Sequence, residues 1–494
     1  MLQRLCIFLS ILLLFGCSQP LKPLISPQTK QNPVIFRCQQ AINHLETMTV
    51  HHSGTLIGVK INNTPWLRSN RLLQHFIQHR SLNESNLNSL LVRMSDLASH
   101  GLINESKNLP QVKRSRWLTD YKIVDPQRFI QECNAQLSQL LLVNPGQTIS
   151  WLRQLKQDDD YSDTARVIGL YPLMSIPFRY GVVQEQQQIM QLWSGEADKN
   201  WSAYQPSTKT RAYTNDKFPL DSLGLPVLTS LQQNKLLNRY APTWMIASET
   251  AANIPGQPFW HKQQLKVNVK QPVSYNYVSL GIFNDQPVLQ LNYLTWFTER
   301  PSDGWPDLLA GQHDAVIFRI HLTLNNQIIA YDSIHLCGCW YTLVLEPDQP
   351  YIPRTGWFNE PTLVLRSQFS NRMALYLQTD THLLIAASPA ERTVATKVSH
   401  YTALPFEQLL SLPLSLPKSK TTDASHSDQR KAVFNKLGYV AGSQRDERWL
   451  YWPMGIKSPG TLRRPGDHAI NFIGKLHFDD PLILEKLGVG MRKL

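Results

Sequence analysis

Past its first residues this chain holds no apolar run long enough to span a bilayer, so everything beyond the start is expected to be soluble. It carries no Gly-x-Ser-x-Gly, no His-Glu-x-x-His and no phosphate loop, which removes the readiest enzyme assignments. No internal repeat stands out. Charged residues make up only 17% of the sequence, and the surplus of +12 is scattered rather than gathered into blocks. A scattered surplus reads as a solvated surface and not as a nucleic-acid interface, while leaving contact with anionic lipid headgroups or cell-wall polymer open. Asp158, Asp159, Asp160 and Asp163 lack the glycine and the distal glutamate of a calcium loop. They are read as the solvated start of a helix, where carboxylates face the positive end of the dipole.

What is present begins with a single positive charge, Arg4, ahead of an apolar run from Leu5 to Phe15. That is the pattern of a secretory signal over 1–16. The next residues, Leu14-Phe15-Gly16-Cys17, resemble the lipobox of bacterial lipoproteins, although Phe15 stands where small residues are commoner. The resemblance implies that Cys17 is acylated and becomes the new N-terminus, anchoring the protein to a membrane by lipid. By resemblance to enteric lipoproteins, Ser18 implies an outer-membrane address facing the periplasm. Residues 17–37, with Pro20, Pro23, Pro27 and Pro33, read as a lipidated tether. Setting Cys6 and Cys17 aside leaves Cys38, Cys133, Cys337 and Cys339, which in an oxidising compartment allow three pairings. The economical one joins Cys38 to Cys133 and Cys337 to Cys339.

Residues 38–200 have the helical period. Leu87, Leu90, Leu91, Met94 and Leu97 share one face, with Ser85 as a cap and Gly101 as a stop. Asp125-Pro126 opens a second helix whose stripe of Phe129, Ile130, Cys133, Leu137, Leu140 and Leu141 ends before Asn144-Pro145-Gly146. Pro172 and Pro177 are read as breaking the pattern after that. Residues 201–242 read as a polar junction, and from 243 to 400 the period changes to two, with Asn284-Asp285 as a tight turn between strands. A C-terminal segment, 401–494, carries a mobile loop at 411–431 and is expected to pack on the strands. The fold class is therefore α+β: a helical domain followed by a mainly antiparallel β domain, either a sandwich or a curved sheet.

Gly311 to Glu346 is the most informative stretch. Two β-branched-rich strands flank Asn325-Asn326, and with those as the central turn residues, opposite positions sum to 651. Arg319 then faces Asp332, an opposite-charge pair. Followed to the open end, the same arithmetic puts Asp314, His335, Cys337 and Cys339 on one face. Three chemistries suit that cluster. One is a zinc site built from His335, Cys337 and Cys339, with His468 as a further ligand; the two strand positions at either end are too far apart unless Gly338 bends the chain. Another is a thiolate at Cys337 or Cys339 with His335 as base and Asp314 as orienter. The last is a redox-active disulfide within Cys-Gly-Cys.

His468, His477, Asp479 and Asp480 form a second polar set, and Trp296, Glu299, Arg300 and Trp305 could line a groove beside the hairpin. Tyr331-Asp332-Ser333-Ile334-His335 with Cys337-Gly338-Cys339 resembles a string carried by uncharacterised lipoproteins of Gram-negative bacteria, over 296–346 and 452–480. It implies no activity. The sequence thus points to a lipid-anchored envelope module that binds a ligand or an envelope partner, with a metal-dependent or cysteine-dependent hydrolase or redox enzyme as the alternative.

Overall fold

The computed structural model describes residues 32–49, 58–155, 159–196, 200–207, 217–247, 250–354, 356, 359–414 and 429–490. The expected signal and tether up to residue 31, with Cys17, together with Asp158 and 415–428 of the expected loop, lie outside the described residues. The first helices are α1 (Pro33–Thr49), α2 (Arg71–His79), α3 (Glu84–Lys107), α4 (Gln111–Asp120), α5 (Pro126–Gln139) and α6 (Pro145–Arg153). Next come α7 (Asp163–Ile168), α8 (Tyr171–Glu196), α9 (Ser230–Arg239), α10 (Arg448–Tyr451) and α11 (Ile483–Leu487). Among the described residues no helix is long and apolar enough to cross a membrane.

The amphipathic stripes do what their spacing requires. Leu87, Leu90, Leu91 and Met94 of α3 pack with Ile130, Cys133 and Leu137 of α5 and with Cys38, Ile42 and Leu45 of α1. Asp125 caps α5 by accepting from the backbone N–H groups of Gln127 and Arg128. A disulfide joins Cys38 to Cys133 across this core. Gly101 does not stop α3, which starts at the cap Asn83 and runs on to Lys107. Its role is close approach: a Cβ there would collide with the guanidinium of Arg68, which is buried against Glu105 at 3.0 Å. Pro177 likewise sits inside α8 without ending it.

Eleven strands form one sheet: β1 (Ser202–Pro206), β2 (Thr243–Ile246), β3 (Val273–Phe283), β4 (Gln286–Arg300), β5 (Gly311–Thr323) and β6 (Ile328–His335). The remaining five are β7 (Thr342–Leu345), β8 (Leu363–Arg366), β9 (Met373–Leu377), β10 (Leu384–Pro389) and β11 (Lys397–Pro405). Their spatial order is β8-β7-β6-β5-β4-β3-β11-β1-β2-β9-β10, and the edges β8 and β10 approach each other, so the sheet curls nearly into a barrel. α+β describes the whole. The sheet is mixed: six of its ten strand pairings are antiparallel, but β7 runs parallel to β8, β2 to β9, and β11 to both β1 and β3. The stretch read as a polar junction supplies β1, whose neighbours β11 and β2 come from far along the chain.

Alternation along the strands sorts side chains into an inner and an outer set. Trp244, Leu291, Val316, Phe318, Ile320 and Leu375 fill the inside. Outside, Ala315, Ile317 and Ile334 are covered by the C-terminal segment through Leu462, Ile470, Phe478 and Leu484. Another part of the outside, including Ala203, Met245, Ala374 and Ile385, is covered by Ile189 of α8. The hairpin registers follow from the turns. Asn284 and Asp285 both take positive φ, and Phe283 pairs with Gln286. In the central hairpin Asn326 takes the left-handed position and a bulge follows, after which His321 faces Ala330 and Arg319 faces Asp332, as the sum of 651 requires.

Both sheet faces are covered, so the Arg319–Asp332 pair is buried, not exposed. Arg319 meets Asp332 at 2.9 and 2.5 Å, His321 Nε2 lies 3.1 Å from the same carboxylate, and the Tyr341 hydroxyl donates to it at 2.9 Å. Burial alone would raise Asp332, but Arg319 and His321 hold it well below the usual carboxylate range.

The disulfide closes a 95-residue separation. A Cys133→Ser variant is expected to lose about 2–4 kcal/mol of stability in a denaturant titration, without losing the sheet's circular-dichroism signal at low denaturant.

Candidate functional site

Asp314, near the start of β5, is fully buried and gathers three partners from three other places in the chain. His382 Nδ1, from the turn between β9 and β10, is 2.8 Å away. Arg445 donates at 3.0 Å, and His335 Nδ1 at the end of β6 lies at 3.4 Å. Burial would raise the Asp314 carboxyl, but His335 and Arg445 hold it well below its usual range. Burial lowers His335 below the ordinary histidine range, against the pull of Asp314. His382 is fixed further by stacking on Phe297, at 3.8 Å between ring centres, and by the carbonyl of Ala252 at 3.1 Å. Asp314 and His335 are therefore neighbours, as the register implied. His382 and Arg445 were not foreseen, since nothing local in the sequence marks them.

The two cysteines do not continue the strand face. After His335 the chain turns tightly: Gly338 N–H donates to the His335 carbonyl at 2.8 Å, and His335 N–H to that of Cys339 at 3.1 Å. Gly338 takes φ 94°, and a Cβ there would press on the Ala469 carbonyl at 2.8 Å, so only glycine fits. The turn sends Cys337 into the outer apolar cluster, while Asp314 belongs to the inner face. This corrects the expected triad of Asp314, His335 and Cys337. Both cysteines are free thiols, which also corrects the expected pairing of Cys337 with Cys339.

Among the described residues no group of three or more histidine, cysteine or acidic side chains is placed to hold a metal ion. His335, Cys337, Cys339 and His468 do not converge as zinc ligands. His468 Nε2 lies 3.0 Å from the Leu336 carbonyl, and burial pushes it down to about 3, so it serves as a neutral brace under the turn. His477 and Asp479 go elsewhere: His477 meets Asp159 at 3.1 Å, and Arg71 spans Asp479 at 3.0 Å and Asp160 at 3.5 Å. These contacts pin the C-terminal segment to α2 and to the residues ahead of α7. Asp480 pairs with Lys486.

The groove residues also part company. Trp296 is buried in the core, Glu299 is exposed, and Trp305 is 96% exposed. Trp296, Glu299 and Arg300 all lie on β4 opposite the start of β5, and Arg300 is paired with Asp307 at 3.5 Å and lies over the Trp340 ring at 5.2 Å.

A cavity of about 380 Å³ opens beside the cysteine turn. One wall is α8, through Pro177, Phe178, Val182 and Ile189; Cys339, Trp340 and Tyr341 form another. Glu360 and Leu363 close a third side, and Arg445, Glu447, Tyr451 and Phe472 from the C-terminal segment complete it. Trp340 takes φ 55° and is held by its N–H donating to Glu185 at 2.7 Å and by an edge-on contact with His335 at 4.8 Å. Phe178, Tyr451 and Phe472 meet one another with ring centres 4.8–5.2 Å apart. No family model, curated protein or solved structure matches this chain. The cavity itself therefore carries the functional reading.

Two of its carboxyls and its thiol are raised toward their protonated forms. Burial raises Glu447 to about 7, opposed by Arg445 and Arg300. Burial raises Glu360 to about 7 as well, opposed by the N–H groups of Ile473 and Phe472, which donate to it at 2.9 and 2.6 Å. The Cys339 thiol lies 3.9 Å from Glu447 Oε1 and is pushed well above the ordinary thiol range, first by its contact with Cys337 and then by burial and Glu447. A thiol so placed is a poor nucleophile at neutral pH.

Two outcomes follow. Cys339 in the native protein should alkylate with iodoacetamide more than tenfold slower at pH 8 than in the unfolded chain, and Glu447→Gln should speed it, as read by peptide mass mapping. Because Glu447 titrates at about 7 when folded against 4.5 otherwise, its contribution to stability is full below pH 4.5 and lost as pH rises through about 7. Thermal melts from pH 4.5 to 8 should show that decline in the wild type and a shallower one in Glu447→Gln.

Proposed function

We propose that the chain is a lipid-anchored envelope protein that binds a small ligand in the cavity between α8 and the cysteine turn. The observation that carries the binding part is the enclosure itself: some 380 Å³ of mostly apolar wall, contributed by segments from residue 174 to residue 472, with a few polar groups converging in it. Pockets of about 300–1,000 Å³ with that mixture are where small molecules bind. The anchor rests on the Leu14-Phe15-Gly16-Cys17 pattern and on the disulfide between Cys38 and Cys133, which suits an oxidising compartment. An outer-membrane, periplasm-facing address rests on Ser18 alone.

The surface beside the cavity supports attachment at a membrane. Trp449, Leu450 and Trp452 are 70%, 51% and 40% exposed, and α8 adds exposed Leu173, Ile176 and Tyr180. Tryptophan and tyrosine with neighbouring aliphatic side chains suit the boundary between water and lipid. Arg448 lies over the Trp449 ring at 5.0 Å and adds a positive charge that anionic headgroups attract. The thiol-enzyme alternative has less support, since His335 faces Asp314 rather than a sulfur and Cys339 stays protonated.

Gly181 lines the cavity mouth with open space where a Cβ would be, so Gly181→Trp fills the cavity without disturbing a packed core. Native mass spectrometry of the full chain should show a small-molecule adduct that denaturation releases and that Gly181→Trp abolishes. Labelling with an alkyne analogue of palmitate should mark the wild type and not Cys17→Ser. An adduct unchanged by Gly181→Trp would remove the cavity from the reading, and equal labelling of both proteins would remove the anchor.

A further inference from the structure

The charges around the cavity do not balance. Glu185, Glu360 and Glu447 all line it, and Glu185 is near enough to raise both of the others. Arg445 is the one lysine or arginine among the described lining residues, one guanidinium against three carboxyls, and it is also paired with Asp314 at 3.0 Å. Glu447 is only 2% exposed and lies 3.9 Å from the Cys339 thiol, with Arg445 and Arg300 near enough to oppose its rise without bringing it below about 7. A buried carboxylate so placed is costly to ionise without a positive partner. The opposite side supplies apolar and aromatic surface, with Phe178, Tyr451 and Phe472 in mutual contact. Aromatic faces attract cations through the ring quadrupole, and carboxylates accept from ammonium N–H groups.

We propose that the cavity binds an amphipathic organic cation, with its ammonium group among Glu185, Glu360 and Glu447 and its apolar body against Phe178, Tyr451 and Phe472. This assignment rests on the ligand-binding reading of the same cavity and adds the sign of the ligand's charge. Neutral ligands of the same shape bring no positive charge to the three carboxyls, and anionic ones meet three acids against the single guanidinium of Arg445. The binding cation takes the place of the proton that Glu447 and Glu360 otherwise hold near neutrality, so affinity falls as the pH drops below 7.

Phenethylamine, phenethyl alcohol and phenylacetate share one body and differ in charge. Isothermal titration calorimetry of the full chain at pH 8 should show phenethylamine binding at least tenfold more tightly than either of the others, and weakening tenfold or more by pH 5.5. Glu447→Gln should remove most of that preference. Glu185→Gln, at an exposed position on α8, should reduce it without a change in the melting temperature, which separates a lost charge from a folding defect. Equal or tighter binding of the alcohol or of phenylacetate overturns the cation assignment and leaves the ligand pocket standing. No binding of any of the three overturns both.

Discussion

A carboxylate without access to water has to be neutralised where it stands, and Asp314 imposes that condition on the whole hairpin end. Its oxygens take His335 from the next strand, His382 from a turn of two distant strands and Arg445 from the C-terminal segment. Removing one partner of such a set costs about 3–5 kcal/mol, because the remaining charge stays buried. Four separate pieces of chain are thereby held in one geometry. Arg445, once fixed, lies in the cavity wall beside Cys339 and Glu447, so the shape of the cavity is set from inside the sheet.

A second network repeats the arrangement on the outer face. Asp332 binds Arg319, His321 and Tyr341, and Arg319 reaches the Phe478 carbonyl at 2.6 Å while lying 3.6 Å over that residue's ring. The inner network fastens the C-terminal segment near residue 445 and the outer one near 478. Between these points lie Leu450, Tyr451, Ile470 and Phe472, which line the cavity. Apart from the short α10, the wall is irregular chain, and both of its ends are tied to the sheet by charge.

Local patterns were legible in the sequence and distant ones were not. Asp125-Pro126 announced a helix start, Asn284-Asp285 a tight turn, and the pairing of Arg319 with Asp332 followed from counting back from the asparagines. The pairing of Cys38 with Cys133 was reached by economy and is present. The rule of alternation failed where the backbone left the strand: beyond His335 the left-handed Gly338 ended the period of two, and Cys337 moved to the other face. Gly101 and Pro177 misled for a related reason, since tertiary contacts decide whether such residues end a helix. β1 was hidden because five residues flanked by polar sequence are recognisable as a strand only from their neighbours, β2 some forty positions on and β11 nearly two hundred. The cavity left no trace in any one segment, because its walls come from α8, the hairpin end, the stretch near 360 and the C-terminal segment. Only the cysteine turn drew notice, and for a chemistry its burial disfavours.

The sulfur bridge near the start of α1 has a mechanical meaning. Tension on the chain ahead of Pro33 would unwind a free terminal helix one turn at a time, since frayed ends open at little cost. Here only the residues before Cys38 can peel away before the load passes covalently to Cys133 in α5, and from there into the helical core. A pull applied at that end is thus borne by the interior of the helical core rather than by its edge.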